Sequence, residues 1–498
     1  MAKTINTEAS RTLMEYRLLP GLTTEKSSFS NISLRTPLVY SEKAEDKFHL
    51  NIPIVSAAMQ SVSGAEMGIE LAKLGGVAFI FCSQSTERQA EMISNIKNYK
   101  AGFVEPVTVN ADMKIMDLHK LSRDKGFTTF PVVDDHGKLT GIITKRDYDI
   151  SRHADRFIHE RMLKRAQIVV GIDVRELSEA NAILMESHQS VLPIVDKSEK
   201  LLNLVFRKDI KNHLDNPHEL IDEKKRLLAA AAVNTHDYEN RVPALVDAGV
   251  DILAVDSSDG FSEYQGQTLK WITKRYPDIP VIGGNIITEE GFDYLVEAGA
   301  RAIKVGMGGG SICITQEQKG TGRGLATAII KVNEARERYY KKTGKYIPII
   351  ADGGIVHAKD IVISLALGSD YVMMGRYFAR MDESPTEKVT INNRVMKPYW
   401  GEGAARARQW KQLRYSQAKF VEGVEGFVEY AGKLRDNLDE TIAKIVASMS
   451  SCGVENIRAL HERAQLEVVS SLSIREGKVH DIYMPDKDQN YYALQWGD

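Results

Sequence analysis

The chain has 498 residues, of which 27% are charged, and its formal net charge at pH 7 is −2. Such a composition gives no support for binding to nucleic acids or acidic membranes, so small molecules are the expected partners. Three scattered cysteines exclude a disulfide framework, and the lack of a membrane-length apolar run or a basic-then-apolar leader predicts a cytoplasmic protein.

Eight apolar segments of strand length recur along the chain, several of them after a helix that ends in Ala-Gly or Leu-Gly. Glycine after a helix supplies a left-handed cap, and continuous apolar strands suit a parallel sheet buried on both faces. The pattern predicts an α/β fold, a closed (β/α)8 TIM barrel, with a doubly wound open sheet as the alternative. The segments are centred near Ile54, Phe79, Ala230, Leu253, Val281, Ile303, Ile349 and Met373.

The interval between the second and third strands contains an internal repeat. Residues 129–148 match residues 191–210, and an amphipathic helix precedes each copy, around 116–125 and 174–187. This duplicated βαββα unit resembles a tandem CBS pair, or Bateman module, which implies an adenine or guanine nucleotide site; a rigid spacer or assembly surface is the alternative. The predicted domains are residues 1–104 for the first part of the barrel, 105–215 for the module, with repeats at about 105–150 and 162–215, and 216–498 for the rest.

The carboxyl ends of the predicted strands are polar, which is where barrels of this class place functional residues. Glycines after the seventh and eighth strands are typical of a phosphate site, and the carboxylate there suits a ribose hydroxyl better than a phosphate. The pattern therefore predicts a nucleoside monophosphate ligand. The strand ends are Ser56, Asn234, Asp256, Asn285, the loop 308–310, Asp352-Gly353-Gly354 and Gly375-Arg376.

A cysteine lies in the glycine-rich loop after the sixth predicted strand, where residues 308–315 read Gly-Gly-Gly-Ser-Ile-Cys-Ile-Thr. Consecutive glycines let the backbone approach a ligand closely, so Cys313 is the candidate nucleophile; a mobile linker with an incidental cysteine is the alternative. Cys82 follows bulky apolar residues and is predicted to belong to the core, and Cys452 has no surrounding constellation.

These motifs together closely resemble the inosine 5′-monophosphate (IMP) dehydrogenase family over nearly the whole chain. The resemblance implies NAD-dependent oxidation of IMP to xanthosine 5′-monophosphate (XMP), the committed step toward guanine nucleotides. It implies that the Cys313 thiolate adds to carbon 2 of the purine and that water hydrolyses the resulting thioimidate. The matching segments are 56–63, 256–260, 284–285, 308–315, 319–324, 352–354, 399–403, 414–415 and 473–477.

The resemblance also implies a role for individual residues. The catalytic residues are Cys313 together with Thr315, Arg414 and Tyr415, which activate water; for Arg414, a permanent cation, charge stabilisation is the alternative. The IMP contacts are Ser56, Ser311, Asp352, Gly353, Gly354, Gly375, Arg376, Tyr399, Gly401, Glu402, Gly403 and Glu422. The NAD contacts are Asp256, Ser257, Ser258, Asn285, Gly306 and Gly308, with His236 and Tyr264 at the adenine.

A potassium site and a homotetramer follow from the same resemblance. Carbonyls of Gly308, Gly310 and Cys313 would hold the cation together with Glu476, Gly477 and Lys478 of a neighbouring subunit. The polar stretch from about 387 to 422 lacks barrel periodicity and is predicted to be a mobile flap.

Two alternatives remain. A GMP reductase-like enzyme would share the barrel and the cysteine loop, but its relatives typically lack the flap and in most cases the inserted module. A nonenzymatic nucleotide sensor would use the module as its receptor, and the intact Cys313, Thr315 and Arg414 argue against it.

Overall fold

A closed barrel of eight parallel strands, β1 to β8, confirms the predicted fold in the computed structural model. The last strand, β8 (Tyr371–Met374), pairs with the first, β1 (Ile54–Ser56), so every strand has two neighbours, which closes the sheet and excludes the open alternative. The structure describes residues 5–41, 48–99, 103–104, 106–174, 177–207, 215–224, 226–408 and 420–479. The strands are Ile54–Ser56, Val77–Ile80, Ala230–Val233, Ile252–Val255, Val281–Ile286, Ala302–Val305, Ile349–Asp352 and Tyr371–Met374.

Each barrel strand is buried on both faces because alternate side chains point into the barrel and out toward the helices. In β3, Ala230 and Ala232 belong to the interior core, whereas Ala231 and Val233 pack in the outer core. The predicted glycine caps are present, since Gly249 and Gly299 have φ values of 86° and 106° after their helices. The outer helices are Ala65–Lys73, Thr86–Lys97, Tyr238–Asp247, Glu263–Arg275, Glu289–Glu297, Leu325–Thr343 and Ala358–Ala366.

Two four-stranded sheets, each accompanied by a helix, form the inserted module between helix Thr86–Lys97 and β3. The helices Ile115–Lys125 and Leu177–Ser187 agree with the sequence pattern, and so do the hairpins. The first sheet contains strands Val109–Asn110, Thr129–Val133, Leu139–Thr144 and Leu163–Lys164. The second contains strands Phe103–Val104, Gly171–Ile172, Val191–Val195 and Leu201–Phe206.

The observed strand pairing places two boundaries of the module at residues other than those predicted from the sequence. Phe103–Val104 pairs with strand Leu201–Phe206, so the module begins before residue 104 and not after it. Leu163–Lys164 pairs with strand Leu139–Thr144, so these residues belong to the first sheet although the sequence repeat assigned them to the second. Two-residue strands carry too little periodicity to be recognised from sequence.

Two strands of a regular sheet lie within the segment predicted as a flap. Strand Arg394–Trp400 pairs with Val389–Ile391 on one side and with Glu425–Glu429 on the other. The short helix Ala405–Arg408 follows, and Arg406 stacks its guanidinium over the Trp400 ring at 4.2 Å. Residues 409–419 lie outside the described residues. The predicted flap from about 387 to 422 thus contains regular strands up to Trp400, and its mobility stays a prediction.

Near the two ends of the chain, strands Tyr16–Leu19 and Gln465–Val468 form an antiparallel ribbon. The ribbon leads into helix Ser471–Glu476, and helices Leu434–Ser451 and Ile457–Arg463 precede it. Strands Thr36–Pro37 and His49–Leu50 form a further antiparallel pair. The remaining short helices are Leu13–Glu15, Glu25–Ser27, Phe29–Asn31, Ile150–His153, Ile158–Glu160, Arg165–Gln167, Thr315–Lys319 and Arg376–Ala379.

Candidate active site

A cavity of ≈ 280 Å³ opens at the carboxyl ends of the barrel strands. The chain brings most of the predicted site residues together here, although they are spread over more than 160 positions of sequence, from Asp256 to Glu422. The predicted residues in its lining are Asp256, Ser258, Asn285, Gly306, Gly308, Gly310, Ser311, Cys313, Thr315, Asp352, Gly353, Gly354, Gly375, Arg376, Tyr399, Gly401, Glu402, Gly403 and Glu422.

The Cys313 thiol lies in this cavity, on a loop that two sets of backbone contacts hold. Within the loop, the Cys313 amide donates to the Gly310 carbonyl at 3.0 Å. Across it, the Ile314 amide donates to the Glu422 carbonyl at 3.2 Å, and the Val424 amide donates to the Ile312 carbonyl at 3.0 Å. The loop is therefore a platform for the thiol, which argues against the mobile-linker alternative.

A line of polar side chains leads away from the thiol. Cys313 Sγ lies 3.1 Å from Thr315 Oγ1, and the same hydroxyl donates to Glu422 Oε2 at 3.2 Å. Thr315 and Glu422 are both buried, at 3% and 7% exposure. A hydroxyl that donates to a carboxylate can accept a proton from a third group and pass its own on, so this line can move a proton away from the reacting atoms.

The region after β7 and β8 has the features of an anion site. Gly353 and Gly354 have φ values of 97° and 71°, a backbone region that L side chains rarely adopt, and the Gly309 backbone approaches both of them. Arg376 places a half-buried guanidinium in the same wall. Backbone at such positions directs amide groups at a ligand, and the guanidinium supplies positive charge.

Tyr399 closes the cavity beside this region with a neutral hydroxyl. Burial raises the pKa of Tyr399 well above its ordinary value, and the hydrogen bond from Ser311 lowers it by less. The phenol therefore remains protonated at neutral pH, so Tyr399 can donate to a ligand as well as accept.

A buried lysine joins two of the predicted ligand-binding carboxylates. Lys304 Nζ lies 2.7 Å from Asp256 Oδ1 and 2.9 Å from Asp352 Oδ2. Asn285 Nδ2 also donates to Asp352 Oδ2, at 2.9 Å. Burial lowers the pKa of Lys304, but the charges of Asp256 and Asp352 outweigh it and raise the pKa above its ordinary value. The lysine is a cation that holds both carboxylates at the cavity, where they can accept from ligand hydroxyls.

Lys304 was not among the predicted site residues, although the sequence contained a signal for it. It is the one charged residue within the apolar run of β6, Ala302–Val305, and strand alternation directs its side chain into the barrel. A lysine in a strand buried on both faces requires partners of opposite charge, and the two carboxylates at neighbouring strand ends are those partners.

Several predicted residues do not reach the cavity. Ser56 is fully buried and its Oγ lies 2.7 Å from Ser63 Oγ, because Val55 takes the inward position of β1 and Ser56 points outward. Ser257 directs its hydroxyl to the Asp259 carbonyl at 3.3 Å. The lining also excludes His236 and Tyr264, both solvent-exposed, and the cation residues Glu476, Gly477 and Lys478. Arg414 and Tyr415 lie outside the described residues.

The other two cysteines have no place in the site. Cys452 is buried after helix Leu434–Ser451, and burial raises the pKa of its thiol, as expected of a packing residue. Cys82 is only partly buried, so the prediction that it belongs to the core was too strong. Neither residue lines the cavity that contains Cys313.

Across the parts of the chain that the structure describes, no helix combines the length and apolarity needed to cross a membrane. The same residues contain no group of three or more His, Cys, Asp or Glu side chains arranged to hold a metal ion.

Comparison with known proteins gives consistent matches over the whole length. The family described as the IMP dehydrogenase / GMP reductase domain matches residues 11–480. An inosine-5′-monophosphate dehydrogenase from Tritrichomonas foetus is 47% identical over 502 residues, which cover 99% of this chain and 100% of the relative. Another from Aquifex aeolicus is 37% identical over 457 residues, which cover 90% of this chain and 92% of the relative.

A solved structure also matches over nearly the full length. It is a cysteine-to-alanine variant of GMP reductase from Trypanosoma brucei in complex with guanosine 5′-monophosphate. The two superpose with a TM-score of 0.80 at 26% sequence identity, covering 96% of this chain and 98% of the reductase chain.

Proposed function

This chain belongs to the IMP dehydrogenase / GMP reductase family and oxidises IMP to XMP with NAD, and we propose that Cys313 is the nucleophile of that reaction. One observation carries the proposal. The Cys313 thiol lies inside the cavity, 3.1 Å from the Thr315 hydroxyl, and the cavity wall also holds Asp352 and the glycines after β7 and β8. A nucleotide bound by those groups would place its base over the thiol.

The proposed IMP site divides into three parts. Backbone amides of Gly353, Gly354 and Gly375, with Arg376, would hold the phosphate. The Asp352 carboxylate would accept from the ribose hydroxyls, since it faces the cavity. The remaining IMP contacts are proposed to be Ser311, Tyr399, Gly401, Glu402, Gly403 and Glu422, all of which line the same cavity. Ser56 is left out because its side chain points outward.

In the first half-reaction, the Cys313 thiolate forms a bond to carbon 2 of the purine and makes that carbon tetrahedral. A hydride then leaves carbon 2 with its electron pair, and NAD supplies the acceptor for it. Asp256 is proposed to hold a ribose diol of NAD, because its carboxylate is paired with Lys304 and lines the cavity beside Cys313. Ser258, Asn285, Gly306 and Gly308 share that wall. The adenine contacts His236 and Tyr264 remain a proposal, and so does Ser257.

In the second half-reaction, water adds to carbon 2 of the thioimidate, the carbon–sulfur bond breaks, and XMP and the thiolate are released. The water must lose a proton as it attacks. Thr315 and Glu422 lie in line to take that proton, and Arg414 and Tyr415 are proposed to assist from the segment that precedes Glu422.

We propose a potassium ion at the Cys313 loop, held by the carbonyls of Gly308, Gly310 and Cys313. The chemistry of the loop fits a weakly hydrated cation, since these donors are neutral oxygens and the described residues contain no carboxylate cluster for a divalent metal. Glu476, Gly477 and Lys478 of a neighbouring subunit would complete the site within a homotetramer. They are exposed at the end of helix Ser471–Glu476, as such a donor segment requires.

The inserted module is proposed to be a CBS pair that binds an adenine or guanine nucleotide. Its two sheet-and-helix units meet through paired turns, in which the Leu139 amide donates to the Glu199 carbonyl and the Leu201 amide to the Gly137 carbonyl, both at 3.0 Å. Calorimetric titration of the protein with ATP and with GTP tests the proposal. The cytoplasmic location expected from the sequence is likewise a proposal.

The inserted module does not separate this activity from that of GMP reductase. The Trypanosoma brucei reductase matches this chain over nearly the full length of both, so an insert of this size also occurs in a reductase. The insert was expected to be absent from most reductases, and this reductase is an exception. What distinguishes the two activities is the set of relatives named as dehydrogenases at up to 47% identity.

The decisive experiment is to incubate the purified protein with IMP and NAD and follow NADH absorbance. We expect NADH that depends on IMP, with XMP as the product. NADPH consumption that depends on GMP, without IMP-dependent NADH, would identify a reductase. A protein inactive in both assays that still binds nucleotides would be a sensor.

A further inference from the structure

The short helix Thr315–Lys319 places two side chains on one face. Thr315 and Lys319 are four residues apart, the spacing that brings side chains together along a helix. Both reach the same oxygen, since Glu422 Oε2 lies 3.2 Å from Thr315 Oγ1 and 3.5 Å from Lys319 Nζ. Lys319 thus contacts a carboxylate that is already part of the line from the Cys313 thiol.

The second partner of Lys319 lies in a different loop. Lys319 Nζ is 2.9 Å from Asp259 Oδ2, and Asp259 follows β4 in the segment that begins with Asp256. Ser257 donates to the Asp259 carbonyl, so the segment is internally braced. One ammonium therefore connects the loop proposed to receive NAD with the carboxylate beside the thiol.

The neighbouring carboxylates favour the protonated form of Lys319. Burial lowers the pKa of Lys319, but the hydrogen bond and charge of Asp259, followed by the charge of Glu422, outweigh it and raise the pKa. Glu422 is buried while Asp259 is mostly exposed, so the ammonium stabilises the buried carboxylate where water cannot. The other described titratable groups that line the same cavity are Asp256, Lys304, Cys313, Asp352, Arg376, Tyr399 and Glu402.

We propose that Lys319 is a positioning residue that directs the Glu422 carboxylate at Thr315 and ties it to the NAD loop through Asp259. The inference rests on the proposed function, in which Thr315 and Glu422 take the proton of the attacking water. Lys319 acts through Glu422, so it governs hydrolysis of the thioimidate and not the hydride transfer before it.

The test separates the two half-reactions by rapid mixing of enzyme with IMP and NAD. In Lys319→Gln the first-turnover burst of NADH is expected to persist, while steady-state turnover at pH 7 falls severalfold. Without the ammonium the Glu422 carboxylate loses the cation that directs it at Thr315, so transfer of the proton from the attacking water slows. Lys319→Arg keeps the charge and is expected to restore turnover.

Two control variants make the result specific. Lys331→Gln removes a comparable surface ion pair, with Glu334 at 2.9 Å, on a helix outside the cavity and is expected to leave burst and turnover unchanged. Asp259→Asn is expected to raise the KM for NAD. If burst and turnover of Lys319→Gln fall together, or Lys319→Arg turns over no faster than Lys319→Gln, the inference is wrong. Absence of NADH formation in the wild type would instead refute the proposed function.

Discussion

Lys304 and Asp256 form an ion pair of 2.7 Å across the barrel mouth, although their strands, β6 and β4, are not neighbours. The pair passes over β5 because side chains from alternate strands share one layer of a barrel interior. Since Lys304 also binds Asp352 at 2.9 Å, one ammonium holds the two carboxylates proposed to bind the two ligands.

Replacing this lysine should weaken the binding of both substrates. In Lys304→Met, Asp256 and Asp352 lose their common cation. We expect the KM values for NAD and IMP each to rise about tenfold, which corresponds to the loss of one charge-assisted hydrogen bond. Loss of the two ion pairs of this buried ammonium should also cost about 3–5 kcal/mol of stability. Steady-state kinetics and thermal unfolding measure both effects. A rise in one KM alone, with unchanged stability, would contradict the bridging role.

The three cysteines should differ in reactivity toward substrate. Cys313→Ala should form no covalent adduct with an IMP-derived product and no NADH, because no other thiol lines the cavity. Cys82→Ala and Cys452→Ala should retain both. Intact-protein mass spectrometry after quenching with acid detects the adduct. Adduct formation in Cys313→Ala would refute the mechanism.

A glycine at the end of β6 should tolerate no side chain. A Cβ on Gly306 would lie 1.9 Å from the Asp352 carbonyl oxygen, and the φ of 142° is itself unfavourable for alanine. Gly306→Ala should therefore displace Asp352 and the Cys313 loop and abolish turnover. Gly426→Ala is the matched control, since its Cβ would meet no atom within 4 Å. Turnover in Gly306→Ala close to that of Gly426→Ala would show that the backbone is more adaptable than this geometry indicates.

Stability should decline at mildly acidic pH through a histidine at the amino-terminal side of the barrel. Burial lowers the pKa of His461, whose Nε2 lies 2.9 Å from the Ser369 carbonyl, while Asp370 raises it by less. As the pH falls, the unfolded chain therefore binds a proton at this histidine before the folded protein does. The contribution of neutral His461 to the free energy of unfolding is complete above about pH 6.5 and is lost as the pH falls below it.

The measurement is the thermal midpoint between pH 7.5 and pH 5. His461→Gln keeps a donor for Ser369 but cannot titrate, so its midpoint should fall less over this range than that of the wild type. Equal slopes for the two proteins would show that other groups carry the acid sensitivity.

The barrel and the cysteine loop could be predicted because both leave local patterns in the sequence. Apolar runs separated by glycine caps mark the eight strands, and the hairpin repeat marks the inserted module. The direction of a side chain at a strand end could not be predicted as readily. Ser56 looked like a site residue, yet Val55 takes the inward position and turns Ser56 toward Ser63. Lys304 looked like part of a strand and proved to be the centre of the charge network.

The contacts of Lys319 were beyond sequence reasoning for a different reason. They join Asp259, Lys319 and Glu422, which are far apart in the chain, and no periodic pattern relates them. Likewise, the pairing of strand Arg394–Trp400 with Glu425–Glu429 joins two segments that residues 401–424 separate. Long-range pairing decides such features, and a single sequence does not contain it.

The inserted module departs from a connection between a helix and a strand, so it leaves the barrel on the face opposite the cavity. The chain returns to the barrel near His218, whose backbone carbonyl accepts a hydrogen bond from Asn51 Nδ2 at 2.9 Å. Asn51 lies just ahead of β1. Loop closure at such a junction becomes only slowly less favourable as the connection lengthens. Protein engineers can therefore exchange residues 103–215 for another domain. A domain inserted there would not obstruct the path of either substrate to the thiol.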